Sequence, residues 1–351
     1  KLQTICAEYE IKAQNASLEA TGHGFKIIKE KEGVTVDYDK TVEQLYTYVT
    51  EKWNKKANIK LTATTTVSKP KYTTEDCEKV SNEPMGSYTT EFSVGSSYAN
   101  RNLNIQNGAK LINGAVVYPG EQYSCNENLY PWTEDNGWHP AGTYVDGGVQ
   151  DSLGGGICQV SSTLYNALLR AEIKVVKRFP HSMAVGYVPL SADAALAGDY
   201  KDLVFENDTD APIYVQGIYN SGGSITFNIY GHDTRKAGHS VKYESKTIKT
   251  TPVKTQTKKD SSKPVGYSEV ESSGHVGYVA ELWKITYENG KQVSKELIHT
   301  STYAMSPTIV VKGTKKASTT TKKDDSDKDD KKSSEKTTKK STSSKKSKKS
   351  E

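Results

Sequence analysis

The sequence predicts an α+β protein built in several units: a small α+β unit at the N-terminus, an α+β central domain, a small all-β module and a disordered tail. Three observations predict it. Residues 25–80 read as strand, helix, strand; residues 88–230 interleave helical periods with strand signals; residues 266–313 alternate on both sides of Asn289-Gly290. The units are expected at 1–90, 91–235 and 266–315, with a linker at 236–265 and a tail at 316–351.

In the first unit Val34, Val36 and Tyr38 alternate as a strand does. Thr41 with Gln44 three residues on reads as a capping box. The helix it opens carries Val42, Leu45, Tyr46, Val49 and Trp53 on one face. Ile59, Leu61, Ala63, Thr65 and Val67 alternate again, and Pro70 ends the run.

In the central domain Ile105, Ala109 and Ile112 give a short helix closed by Asn113-Gly114. Val116 and Val117 precede a turn at Pro119-Gly120. A glycine-dense loop spans 147–156, and Ile157, Val160, Leu164, Leu168 and Ala171 then recur at helical spacing, predicting a helix over 158–171. Ile213 and Val215, then Ile225, Phe227 and Ile229, form a hairpin around 220–223. Residues 250–265, rich in Thr, Lys and Pro, read as a linker. Beyond it Asn289-Gly290 joins two strands of the β module.

From Ala317 onward no aromatic residue occurs, so the tail has nothing to bury. The net charge of +5 is concentrated there: from Lys315 on there are 14 Lys against 7 Asp/Glu, while the preceding residues carry 33 Lys/Arg against 35 Asp/Glu. A nucleic-acid partner needs a basic patch on the folded body, which this distribution excludes; an anionic wall polymer could still meet the tail. Mean hydropathy is −0.69, and no apolar run approaches the ~20 residues of a membrane span, so no transmembrane segment is expected. The chain starts at Lys1 and is read as a processed or trimmed piece, in which any upstream signal or anchor would not be visible.

Cys6, Cys77, Cys125 and Cys158 contain no CxxC pair. Cys6 and Cys77 flank one unit and could close it, or stay thiols. Cys125, Cys158, His139 and His181 lack the local spacing of a zinc site, and no metal or cofactor is expected.

The segment Gly154-Gly-Gly-Ile-Cys-Gln-Val-Ser-Ser-Thr-Leu-Tyr-Asn166 holds the chemistry. Gly154, Gly155 and Gly156 suit a loop that another group must approach closely. They put Cys158 in the first turn of a helix, where free N–H groups and the dipole favour a thiolate. His181 is the candidate base, with His139 as the alternative; Asp146 or Asp151 could orient the imidazole. Gln159, Ser161, Trp138 and Asp151 join the three glycines as candidate binding residues. Trp132, Trp138, Tyr123, Tyr130 and Tyr144 crowd the approach, as sugar or peptide contacts or as ordinary packing. Cys158 itself reads as a nucleophile, with a core residue and a pocket wall as the competing readings.

Tyr118-Pro-Gly-Glu-Gln-Tyr-Ser-Cys-Asn126, Gly154–Asn166, Pro180-His-Ser182, Tyr187-Val-Pro189 and Lys201-Asp-Leu-Val-Phe-Glu-Asn-Asp-Thr-Asp210 resemble, in this order, the VanW family of bacterial cell-envelope proteins. The likeness covers about 95–232. Cys125 departs from it, standing where an aromatic residue is expected. Residues 25–80 resemble the peptidoglycan-binding domain that often precedes VanW domains, and 266–313, ending in Ile309-Val-Val-Lys-Gly-Thr-Lys315, are similar to the G-five domain of surface proteins. The resemblance implies an extracellular place at a Gram-positive envelope, an association with vancomycin resistance, and peptidoglycan or a GlcNAc-containing glycan as partner. It implies no reaction. Three functions stay open: a non-enzymatic protein binding peptidoglycan through several modules, a Cys/His-dependent amidase, peptidase or transpeptidase acting on wall peptides, and an adhesin. An imidazole within hydrogen-bond reach of Cys158, beside an open cleft, separates the second from the others.

Overall fold

The computed structural model describes residues 1–22, 24–56, 60–145 and 148–316. Ile59, Asp146, Gly147 and the tail from 317 on, all part of the expectations above, lie outside the described residues.

The N-terminal unit pairs Ser17–Thr21 with Gly24–Ile28 and Gly33–Val36 with Thr65–Ser68, both antiparallel. Its helix, Tyr38–Thr47, starts earlier than the capping-box reading places it: the Asp37 side chain accepts from Lys40 N and is the N-cap, while Thr41 is buried inside the helix. An aspartate cap satisfies an otherwise orphaned N–H as well as a threonine does. The helix's apolar face is left uncovered, with Val42 51% and Tyr46 70% exposed. The second strand begins only at Thr65. Cys6 and Cys77 are free thiols.

The central domain is built on a four-stranded antiparallel sheet in the order Gly86–Glu91, Ser224–Tyr230, Ile213–Asn220, Ala115–Val117. The expected hairpin turns at Asn220, whose carbonyl accepts from Gly223 N. Two helices lie on this sheet: Ala99–Ile112, and the site helix Ile157–Ala171. The apolar period of the site helix covers more than one stripe, and nearly every residue in it is buried, so it is a central core helix. Close packing depends on Gly86, where a Cβ would meet the Ala167 carbonyl oxygen at 2.5 Å. Ile105, Ile112, Val160, Leu164, Leu168, Phe205 and Phe227 fill the core. A second sheet, in the order Lys174–Lys177, Val204–Glu206, Gln122–Ser124, flanks it. The glycine-dense stretch is only partly a loop: Pro140–Val145 and Gly148–Leu153 form an antiparallel hairpin, leaving 154–156 as the turn into the site helix.

The expected linker is strand. His239–Thr251, Gly277–Glu288 and Lys291–Tyr303 form one antiparallel sheet; Thr255–Pro264 runs parallel to Thr308–Lys315, which also pairs with Ser268–Ser272. Thr255–Pro264 shows almost no buried face, so it lacks the alternation by which a strand is read, and its polar composition imitates a linker. Asn289 and Gly290, both at positive φ, make the expected two-residue turn.

The module packs onto the central domain. Leu282 enters the central core. Tyr243 donates to Leu169 O at 2.7 Å, and Lys284 pairs with Glu172 at 2.6 Å, where the site helix ends. Among the described residues no helix is long and apolar enough to cross a membrane.

Candidate active site

Gly154 and Gly156, at φ +81° and +109°, turn the chain from the hairpin into the site helix, with Gly156 as N-cap. Gly155 between them lies against Ala141 with no room for a side chain. Buried Asn104 pins this turn: its Nδ2 donates to Gly155 O and His139 O at 2.9 Å each, and its Oδ1 accepts from His139 N at 2.8 Å. Cys158 follows as the second residue of the helix, half-buried. Leu196 N donates to its Sγ at 3.4 Å.

His181 lines the same cleft as this thiol, near enough that each shifts the titration of the other. Its Nδ1 donates to Asp193 Oδ2 at 2.6 Å, and its backbone N donates to the same oxygen at 2.8 Å. The Nδ1 bond to Asp193 leaves Nε2 facing away from the acid, with the Tyr187 hydroxyl at 3.4 Å. Asp193 is fully buried, and its Oδ1 accepts from Arg178 Nη2 at 2.7 Å. Cys158, His181 and Asp193 thus stand in the order that a nucleophile, a base and an orienting acid would take.

The loop holding Asp193 is fastened to the polar side of the site helix. Ser161 Oγ donates to Ala194 O at 2.7 Å, Ser162 Oγ accepts from Ala194 N at 2.9 Å, and Asn166 Nδ2 donates to Ala192 O at 2.7 Å. One helix therefore carries Cys158 at its start and the loop of Asp193 along its side.

Burial raises a thiol pKa, yet Cys158 is lowered, because the His181 hydrogen bond and charge outweigh burial and Leu196 N adds to them. Burial lowers His181, but Asp193 and Cys158 hold its proton and bring it up to about 9. Asp193 falls well below the carboxylate range: burial opposes this, and the His181 bond and Arg178 override it. Tyr187 is pushed well up, chiefly by burial, and stays a neutral hydroxyl. The lowered thiol and the raised imidazole both favour the thiolate–imidazolium form of the pair.

The pair opens on a cleft of about 540 Å³, whose walls include Arg101, Trp132, Leu153, Tyr187, Tyr200 and Lys201. Gly154, Gly156 and Gln159 line it too. Gln159 is held by Arg101 Nη2 at 2.7 Å and donates to Thr90 Oγ1 and Glu91 O.

Other expected site residues lie elsewhere. His139 lines a different groove, with Asn107, Asn113 and Tyr219, and is not the partner of Cys158. Trp138 is fully buried in the core, where its bulk is best hidden from water. Ser161 is buried and bound to backbone, so it serves the scaffold and not a ligand. Asp151 is exposed on the strand Gly148–Leu153, outside the cleft walls, and does not orient an imidazole; Gly155 sits beneath the turn. Among the described residues no cluster of His, Cys, Asp and Glu suits a metal.

The residues that sequence reasoning missed are Asp193, Arg178, Asn104, Tyr187 and Leu196. Asp193 had a signal: it is the one charge in Ser191-Ala-Asp-Ala-Ala-Leu196, and a carboxylate among small apolar residues is buried only when paired.

Three family models match the chain in series: "Putative peptidoglycan binding domain" over 1–58, "VanW like protein" over 100–230 and "G5 domain" over 242–315. The G5 match begins inside the expected linker, as the strands do. An uncharacterized protein YoaR of Bacillus subtilis is 37% identical over 164 residues, 47% of this chain and 53% of that protein. The vancomycin B-type resistance protein VanW of Enterococcus faecalis is 28% identical over 116 residues, 32% of this chain and 42% of that protein. The chain therefore spans about half the length of these relatives. Among solved structures, the G5 domain of an IgA1 protease covers 23% of this chain and is itself covered over 96%, at 31% identity and TM-score 0.18. HP0197-G5 covers 21%, is covered over 97%, and gives 23% identity and TM-score 0.15. The peptidoglycan-binding and G5 domains, with these relatives, point to a cell-wall-associated protein.

Proposed function

We propose that this chain, a VanW-type cell-envelope protein with a peptidoglycan-binding domain before its central domain and a G5 domain after it, is a cysteine acyltransferase acting on the peptides of peptidoglycan. The observation that carries this is the line Cys158–His181–Asp193 opening on a cleft. A protein that only binds glycan has no use for a thiolate–imidazolium pair, a buried acid and three helix side chains securing that acid's loop.

In the first half-reaction the Cys158 thiolate attacks a peptide carbonyl of a wall stem peptide. The C–N bond breaks, the leaving amine takes the proton from His181 Nε2, and a thioester to Sγ remains. In the second, an amine of another stem peptide attacks the thioester. His181 accepts that amine's proton, the C–S bond breaks, and the thiolate returns. Asp193 stays ionised throughout and holds the imidazole. The helix N-terminus lies beside the developing oxyanion, and Tyr187 offers a neutral hydroxyl nearby. Trp132, Leu153, Val185 and Leu196 make much of the cleft apolar, which favours an amine carried in on a peptide over free water. The thioester also retains the energy of the donor peptide bond, which an enzyme outside the membrane needs to form a new cross-link. The N-terminal unit and the G5 domain hold the glycan, and joined sites gain affinity through effective concentration.

The test is incubation of the full chain with soluble muropeptides, read by mass spectrometry. Wild type gives an acyl adduct on Cys158 and amine-exchanged or cross-linked products; Cys158→Ala gives neither, yet still pellets with peptidoglycan. Hydrolysed peptides alone would replace transfer by an amidase or peptidase activity. No adduct and no product leaves the protein as a binding protein.

A further inference from the structure

The strand Lys291–Tyr303 belongs to the C-terminal module, yet its end reaches the support of Asp193. Tyr303 is 3% exposed; its hydroxyl donates to Asp193 Oδ1 at 2.5 Å and accepts from Ser191 N at 2.6 Å. Ser301, 1% exposed, accepts at Oγ from Arg178 Nη1 at 2.9 Å and from Ser191 Oγ at 2.8 Å. His299 stands between Ser191 Oγ at 3.1 Å and the Tyr165 hydroxyl at 2.8 Å. Ala304 N donates at 2.7 Å to Ser182 O, next to His181. Residues 299, 301 and 303 share one face of the strand, while Thr300 and Thr302 are exposed.

We infer that the C-terminal β module completes the catalytic site, Tyr303 and Ser301 being positioning residues that hold Asp193, and through it the His181–Cys158 pair, in register. The inference rests on the reading of Cys158, His181 and Asp193 as a triad. Both Oδ2 bonds of Asp193 come from His181, and both side-chain donors to Oδ1 come from outside the histidine: Arg178 and Tyr303. Clamping Oδ1 keeps Oδ2 turned to the imidazole. Arg178, the other clamp, is itself steadied by Ser301. The charged and titratable groups facing Asp193 are Arg178, His181, Cys158, Tyr165, Tyr187, His299 and Tyr303. His299 is held down to about 4 by burial and then Arg178, so it adds no charge at neutral pH. Tyr303 is raised, chiefly by burial and the Asp193 charge, and remains a donor at working pH.

The test uses Tyr303→Phe and Ser301→Ala in the full chain. The readout is the pH dependence of Cys158 alkylation by iodoacetamide, followed on the Cys158 peptide by mass spectrometry. With the clamp loosened, the imidazolium is less well held and the thiol less acidic. The acid limb of Tyr303→Phe should move up by about one pH unit and alkylation below it should slow about tenfold, the size of one hydrogen bond to a charged group. Ser301→Ala should shift the limb in the same direction by less, and Thr302→Ala not at all. A purely electrostatic role would move the limb of Tyr303→Phe down, because the carboxylate loses a donor. A downward shift, or wild-type limbs in both variants, overturns the inference; should Tyr303→Phe fail to fold, Ser301→Ala alone decides. Alkylation needs no substrate, so failure with muropeptides leaves this result intact.

Discussion

A cysteine stands in the first turn of two helices in the central domain. Cys125 opens Cys125–Leu129, and Cys158 is the second residue of Ile157–Ala171. Cys125 is buried and Cys158 half-buried, and burial pushes both thiols up. Cys125 stays well up, with the nearby Asp202 charge adding to burial. Cys158 ends lowered, because His181 stands against it. A helix N-terminus is common to both, so it does not distinguish a reactive thiol from a packing one. The imidazole does, and the imidazole depends on an acid brought from another loop and clamped by a third domain.

The largest effect expected from this contrast is on turnover. Cys158→Ala should abolish acyl transfer, whereas Cys125→Ala should leave it unchanged and cost about 1 kcal/mol of stability, seen as a lower melting midpoint. Equal losses of activity in the two variants would erase the distinction.

Next comes pH. Asp193 titrates below its ordinary 3.8, so its contribution to stability is complete above that value and is lost as pH falls below it. His181 is raised from 6.5 to about 9, so its contribution is complete below 6.5 and is lost as pH rises through about 9. Thermal melts should therefore show an acid arm and an alkaline arm, and turnover, which needs the imidazolium, should decline near pH 9. In His181→Asn the alkaline arm should flatten; an unchanged arm would place the titration on another group.

The smallest effect concerns the tail. Deleting residues 317–351 should leave melting unchanged and weaken retention on anionic wall material at low salt only, since a charge-based contact is screened beyond ~8 Å at physiological ionic strength. Equal pelleting of both proteins at low salt would remove the tail from the wall contact.

What could be read from the sequence divides along physical lines. The site helix and the Asn289-Gly290 hairpin were legible because period and turn chemistry are local signals. The approach of His181 to Cys158 was half legible, since chain order allowed it but no local rule required it. Asp193 left a trace as a lone charge among small apolar residues, but its meeting with Tyr303 and that of Ser191 with Ser301 were not legible, because they depend on packing between segments more than 100 residues apart. The N-terminal helix misled in the opposite way. Val42, Leu45, Tyr46 and Val49 have a helical period, yet the structure leaves them exposed, because periodicity states which residues share a face and not what covers it.

The most direct measurement is the titration of Cys158 by alkylation rate in wild type and in His181→Ala, with Cys125 followed in the same digest. The expected result is a Cys158 limb below the ~8.5 of a free thiol in wild type and above it in His181→Ala, with Cys125 unreactive in both. A Cys158 limb at or above the free-thiol value in wild type, unmoved by His181→Ala, would contradict the account.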